Sequence, residues 1–352
     1  MASRSGTAAG AAVPPEATRG SVPGRTLSWL KLVVSLGLYA LIFYSTDVGT
    51  IARHLADAQL TYVAAAVVLY AAGQALSAYK WQLLLGPVGL AVPYVRLLAF
   101  YFTGMFFNLF LPTIVGGDAV KAVLLARATG APARSTMSVF MERNLGLFAL
   151  LTIAAAAAVL APPAVIAGLR LTTLTLLLLG AFLAANVVIA TPRAYQLVDR
   201  LVAMSPLSGK RARAASLYEA VARYRRRPYA LAVTLCLSFV FQFVVVGVVF
   251  LNARALELDV PVSALAVFVP LISLAGMIPV TVNGLGVREA LYILFFGQIG
   301  APSELAVSLA LLFLAVTFAA SLPGGLVYAF HRSPATIASG RSAADDAAMR
   351  RS

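Results

Sequence analysis

Cysteine and histidine are nearly missing from this 352-residue sequence: Cys236 is the single cysteine, and the only histidines are His54 and His331. One cysteine excludes an intrachain disulfide framework and a cysteine-type metal site. The two histidines are far apart, each near the end of an apolar run, so no metal and no cofactor is expected. Charge is scarce too. Only 11% of the residues are charged, against about 25% in an ordinary soluble domain, while 61% are hydrophobic and the mean hydropathy is +0.90. Such a chain cannot cover its surface with polar groups in water. Acidic residues are the scarcer charge, 13 against 27 Lys and Arg, for a net charge of +14. The basic residues flank apolar runs instead of sharing one folded face, so they read as topology determinants and give no support to a nucleic-acid partner.

What the sequence has is apolar runs of roughly 18 to 25 residues, each long enough to cross a hydrocarbon core of about 30 Å as a helix. Candidate spans are 28–46, 60–83, 136–160, 169–191, 229–252 and 303–330. The run that starts at Trp29 is longer than a signal-peptide core and lacks a small-residue cleavage site, which reads as a retained anchor. Residues 1–27, rich in Ala, Gly, Ser and Pro, and residues 333–352 read as disordered tails around a transmembrane domain of residues 28–332.

Two further apolar stretches are interrupted. The first, 94–130, breaks at Pro112, Gly116 and Gly117; the second, 262–298, breaks at Pro279, Gly284 and Gly286. Proline lacks an amide donor and glycine weakens a helix, so each break ends one half-helix and starts another. Segment 192–228 carries nine basic residues against Asp199 and Glu219, which places it and both tails in the cytoplasm. Counting spans from there makes each broken stretch enter and leave on one side. The expected fold is therefore all-α: a polytopic bundle of six full spans and two re-entrant helical hairpins, in an inner, cytoplasmic-type cell membrane.

The two breaks also match each other. Residues 111–125 align without gaps on residues 278–292, pairing Pro112 with Pro279, Val115 with Val282, Gly117 with Gly284, Val120 with Val287 and Lys121 with Arg288. The halves, 28–160 and 169–332, begin on opposite sides, which is the inverted-repeat plan of secondary transporters and puts substrate near the midplane. Irregular backbone at that depth requires protein or a water-filled cavity around it.

A half-helix that starts after each break presents free N–H groups suited to an anion. Lys121 and Arg288 lie about one turn inside these starts, so the sequence predicts that both cations face one cavity. Asp118 can either pair with Lys121 or cap its helix. Glu142 and Arg143 sit within a span, where ionisable groups are expensive and are either functional or mutually paired. Being adjacent, they face different partners. Glu289 is a substrate contact or the local balance of Arg288, and Asn108 and Asn283 contact substrate or satisfy freed backbone. Tyr79, Lys80 and Trp81 read as interfacial anchors. Residues 213–227 space Leu217, Val221 and Tyr224 among arginines, as a helix on anionic lipid or as a solvated loop.

The segments Gly104-Met-Phe-Phe-Asn108, Leu111-Pro112 through Asp118, Glu142-Arg143, and Gly276 through Asn283-Gly-Leu-Gly-Val-Arg-Glu289 resemble the lysylphosphatidylglycerol synthase transmembrane-domain family, flippase-like membrane proteins. The likeness runs from about residue 28 to 332. It implies a flippase-type fold that acts on aminoacylated phosphatidylglycerol, polyprenyl-phosphate sugars or other lipids. Bifunctional members add a soluble aminoacyl-transferase domain, whereas about 20 polar residues follow Arg332 here, so no synthase activity and no enzyme activity is carried over. No Walker-type loop occurs, so transport would run on a gradient, on mass action or downhill.

The expected function is thus the flipping of an anionic phospholipid or a polyprenyl-phosphate-linked lipid. Two other readings stay open: a non-catalytic partner of a membrane glycosyltransferase or synthase, and a secondary transporter of a small organic anion. Homo-oligomers are compatible with all three.

Overall fold

The computed structural model describes residues 23–110, 116–160, 165, 166, 169–191, 196, 200, 222–277, 281 and 284–330. Eleven α-helices account for nearly all of them. In chain order they are α1 (Pro23–Ser45), α2 (Val48–Ala56), α3 (Leu60–Leu85), α4 (Tyr94–Phe110), α5 (Gly116–Thr129), α6 (Pro132–Leu160), α7 (Leu171–Ala190), α8 (Pro228–Ala255), α9 (Val262–Gly276), α10 (Val287–Gly297) and α11 (Ser303–Phe330). The only strands among the described residues form a two-residue ladder, β1 (Val165–Ile166) against β2 (Leu169–Arg170), and a 3₁₀ turn lies at Gly86–Val88. A mostly helical backbone follows from the solvent: in hydrocarbon every N–H and C=O must find an internal partner, and a helix satisfies its own.

The long helices fall where the hydropathy put them, whereas α2 lies in the stretch between the first two candidate spans, where no helix was expected. The interrupted stretch 94–130 forms the pair α4 and α5, and 262–298 forms α9 and α10. Four helices, α3, α6, α8 and α11, are long and apolar enough to cross a bilayer, or five crossings if α1 with α2 counts as one. The chain bends by 91° between α1 and α2. Asp47 causes the turn locally: its carboxylate accepts from the Gly49 N–H at 2.9 Å and from Thr50 Oγ1 at 2.6 Å, capping α2 as a separate helix. Helix α7 is apolar over Leu171–Val187 and continues to Ala190. The bundle is therefore established, while the count of six spans and two re-entrant hairpins goes beyond it.

Packing between the halves is reciprocal. Helix α3 lies along α8 in the most extensive contact among the described residues, α4 packs on α11, and α9 packs on α6. The first helix of each broken pair thus rests on the last long helix of the other half. One apolar core gathers Phe268, Tyr292, Phe295, Phe296 and Leu309 from α9, α10 and α11; a second gathers Trp81, Leu84, Leu97, Leu125, Met137 and Tyr224 around α3 to α6. Tyr224 is fully buried and donates its hydroxyl to the Leu84 carbonyl at 2.9 Å, which fastens the basic segment before α8 to the end of α3.

Both broken pairs close on glycine. A Cβ on Gly104 would stand 2.6 Å from Lys121 Cγ and 2.7 Å from the Gly117 carbonyl, so α4 and α5 touch backbone to backbone. In the second pair Gly284 lies against Gly276. Gly286 starts α10 with φ +85°, a conformation that glycine alone adopts freely, and a Cβ there would meet Leu38 of α1 at 2.6 Å.

Candidate functional site

A cavity of about 300 Å³ opens among α3, α4, α5, α6, α8 and α9. Five charged side chains line it: Lys80, Asp118, Lys121, Glu142 and Arg143. The sequence brings the last four together for a simple geometric reason. Asp118 and Lys121 are one turn apart on α5, and α5 packs along α6, where Glu142 and Arg143 project in succession.

Lys121 Nζ lies 3.0 Å from Glu142 Oε2 and 3.0 Å from Asp118 Oδ1, with all three side chains at least nine-tenths buried. Tyr101 donates its hydroxyl to Glu142 Oε1 at 2.8 Å, and the Lys121 ammonium stands 4.1 Å from the Tyr101 ring centroid. Arg143 Nε donates to Asp118 Oδ2 in a short contact, while the rest of its side chain is 48% exposed. Glu142 and Arg143 therefore have separate partners, as their adjacency requires, yet belong to one network. Each charge inside a bundle is tolerable only with such compensation.

The second cation sits elsewhere. Arg288 lines an adjoining cavity of about 170 Å³, together with Gly284, Tyr292 and residues of α9. The two cavities share Ser273, Met277 and Phe313 in their linings, so Lys121 and Arg288 line neighbouring spaces. Arg288 donates to Glu289 Oε1 at 3.0 Å, and the other oxygen of Glu289, which is fully buried, accepts the Gly286 N–H at 2.7 Å and caps α10. Glu289 thus balances Arg288. Arg288 Nε is buried with no partner.

Asn108 satisfies freed backbone: its Oδ1 accepts the Gly117 N–H at 3.3 Å, and the residue also lines the larger cavity. Gly116 and Gly117 open α5 and are buried. Pro112, Pro279 and Asn283 lie outside the described residues.

Lys80 and Trp81 are placed differently from the interfacial anchors expected of them. Both are buried, Lys80 at 3% exposure and Trp81 at none. Trp81 Nε1 donates to Ser138 at 3.0 Å and its ring stands 5.6 Å from Lys121 Nζ. Lys80 makes a long contact of 3.4 Å to Ser238 Oγ and lies 4.8 Å from the Phe241 ring centroid, with no ion pair to a described carboxylate. Its signal was in the sequence all the same: Tyr70, Gln74, Ser77 and Lys80 recur at helical intervals, a polar stripe along an otherwise apolar span, and all four line the cavity.

A helical bundle with long apolar crossings and a cavity lined by charged side chains between its helices defines an integral membrane protein. The chain belongs to the lysylphosphatidylglycerol synthase TM region family, whose model matches residues 28–325. That family places it among membrane proteins of lipid metabolism or transport. No curated protein matches the chain significantly.

Proposed function

We propose that this protein moves an anionic phospholipid or a polyprenyl-phosphate-linked lipid across the bilayer without covalent chemistry, holding the headgroup in the larger cavity. One observation carries the reading. The cavity gathers three cations and two carboxylates between helices that pack in apolar surroundings, so its charges sum to one positive. A headgroup with one negative charge completes the balance. Arg143 is the contact of choice, since half its side chain is open while Asp118 holds only Nε.

The reciprocal packing of α4 on α11 and α9 on α6 supports an inverted repeat, with α4–α5 and α9–α10 as hairpins that enter from the cytoplasm and from outside respectively. The wall shared by the two cavities would then be the element that opens when the halves rock, giving alternating access.

The test is translocation of fluorescent phosphatidylglycerol in proteoliposomes, read by dithionite quenching. Arg143→Gln leaves Asp118 paired with Lys121, so it should fold and slow translocation by about tenfold or more. A folded Arg143→Gln protein that translocates at the parent rate would remove the cavity from the transport path.

A further inference from the structure

The α3 wall of the cavity carries polar groups that the charge network leaves unused. Lys121 is taken up by Asp118 and Glu142, and Arg143 by Asp118, so both carboxylates stand on the α5–α6 side, where they repel an anion. Across from them, Lys80 has no carboxylate partner among the described residues. One turn earlier on the same face, Ser77 is 1% exposed and its hydroxyl has no hydrogen-bond partner. Gln74 follows a turn further back, 5% exposed. A buried hydroxyl without a partner and a buried ammonium without an ion pair are each costly, and the two costs fall together when one oxyanion accepts from both.

We propose that Lys80, Ser77 and Gln74 form an anion subsite that takes the single negative charge of a phosphodiester or of a phosphate monoanion. The assignment rests on the reading of the cavity as a headgroup site and adds where in it the charge binds. It also orients the ligand: the phosphate lies against α3, and the remainder of the headgroup points toward Arg143. Ser238 of α8 holds Lys80 in place through its hydroxyl, which itself donates to the Thr234 carbonyl.

Trp81, next in the chain and packed beside Lys121, supplies an optical probe. In a Trp29→Phe background, its fluorescence is titrated in detergent with phosphatidylglycerol, diacylglycerol and inorganic phosphate. Native mass spectrometry counts retained lipid in parallel. Lys80→Met should weaken the anionic ligand by about tenfold or more, Lys80→Arg should restore most of it, and diacylglycerol, which has no phosphate, should respond equally in all three. Ser77→Ala should weaken it about fivefold without lowering the unfolding temperature, because no protein group depends on that hydroxyl. Lys80-dependent retention of phosphatidylglycerol assigns a lipid phosphodiester; Lys80-dependent response to inorganic phosphate alone assigns a free anion, and either supports the subsite.

Unchanged binding of both anions by a folded Lys80→Met protein overturns it. If that variant fails to fold, Ser77→Ala decides, and parental anion affinity there is equally fatal. Translocation by the parent is measured separately. Lys80-dependent binding without translocation would refute the lipid-mover reading and leave the subsite standing; translocation with Lys80-independent binding would do the reverse.

Discussion

Lys121 Nζ and Glu142 Oε2 stand 3.0 Å apart, joining α5 to α6 through an ion pair whose side chains are only 4% and 5% exposed. Removing one member leaves the other charged and buried, which costs far more than the pair contributes. Glu142→Gln should therefore destabilise the protein by about 3 kcal/mol, even though Asp118 remains beside Lys121. Lys121→Met combined with Glu142→Gln should recover part of the loss, since neither charge is then stranded. Thermal unfolding of the two single variants and the double variant in detergent measures the coupling. Strictly additive losses would show that the pair does not hold the helices together.

Close approach of α4 and α5 gives a steric prediction. A methyl at Gly104 meets Lys121 Cγ and the Gly117 carbonyl, and the backbone oxygen cannot swing away. Gly104→Ala should cost about 1–3 kcal/mol and displace Lys121 from its partners. Gly180→Ala is the matched control: it lies inside α7 with nothing within 4 Å of its added carbon, so improved helix propensity should make it neutral or stabilising by up to about 1 kcal/mol. Equal effects of the two substitutions would mean that the α4–α5 contact can relax.

The proposed topology can be read from cysteine accessibility. Cys236 is exposed and must first be replaced, as Cys236→Ala. Ala133→Cys, exposed at the start of α6, should react with an impermeant maleimide from the cytoplasmic side, and Gln298→Cys, exposed at the end of α10, from the outer side. Labelling of both positions from the same side would end the inverted-repeat reading.

Much of this architecture was legible in the sequence because a bilayer imposes a simple code. Apolar length sets where helices run, and Pro112 and Pro279 with their glycines announce that two of them are broken. Glu142 and Lys121 were identifiable as site residues because ionisable groups in apolar spans demand an explanation. Lys80 escaped the same logic. It lies five residues from the end of α3, next to Trp81 and Tyr79, in the pattern of an interfacial belt, and only the packing of α8 against α3 buries it.

The sequence by itself determined the membrane class, the helix positions, the paired breaks and the presence of two cations behind them, since each depends on residue type and spacing along one chain. The tertiary structure decided which charges meet. Lys121 is neutralised across a helix interface and Arg288 by its own neighbour, and they line adjoining cavities, although the alignment of the two breaks makes them equivalents. That difference depends on α6, which brings Glu142 to Lys121, whereas Arg288 lies over the Phe313 ring of α11 and pairs with its own neighbour Glu289. Pairing across helices is a property of packing, and no one-dimensional spacing specifies it.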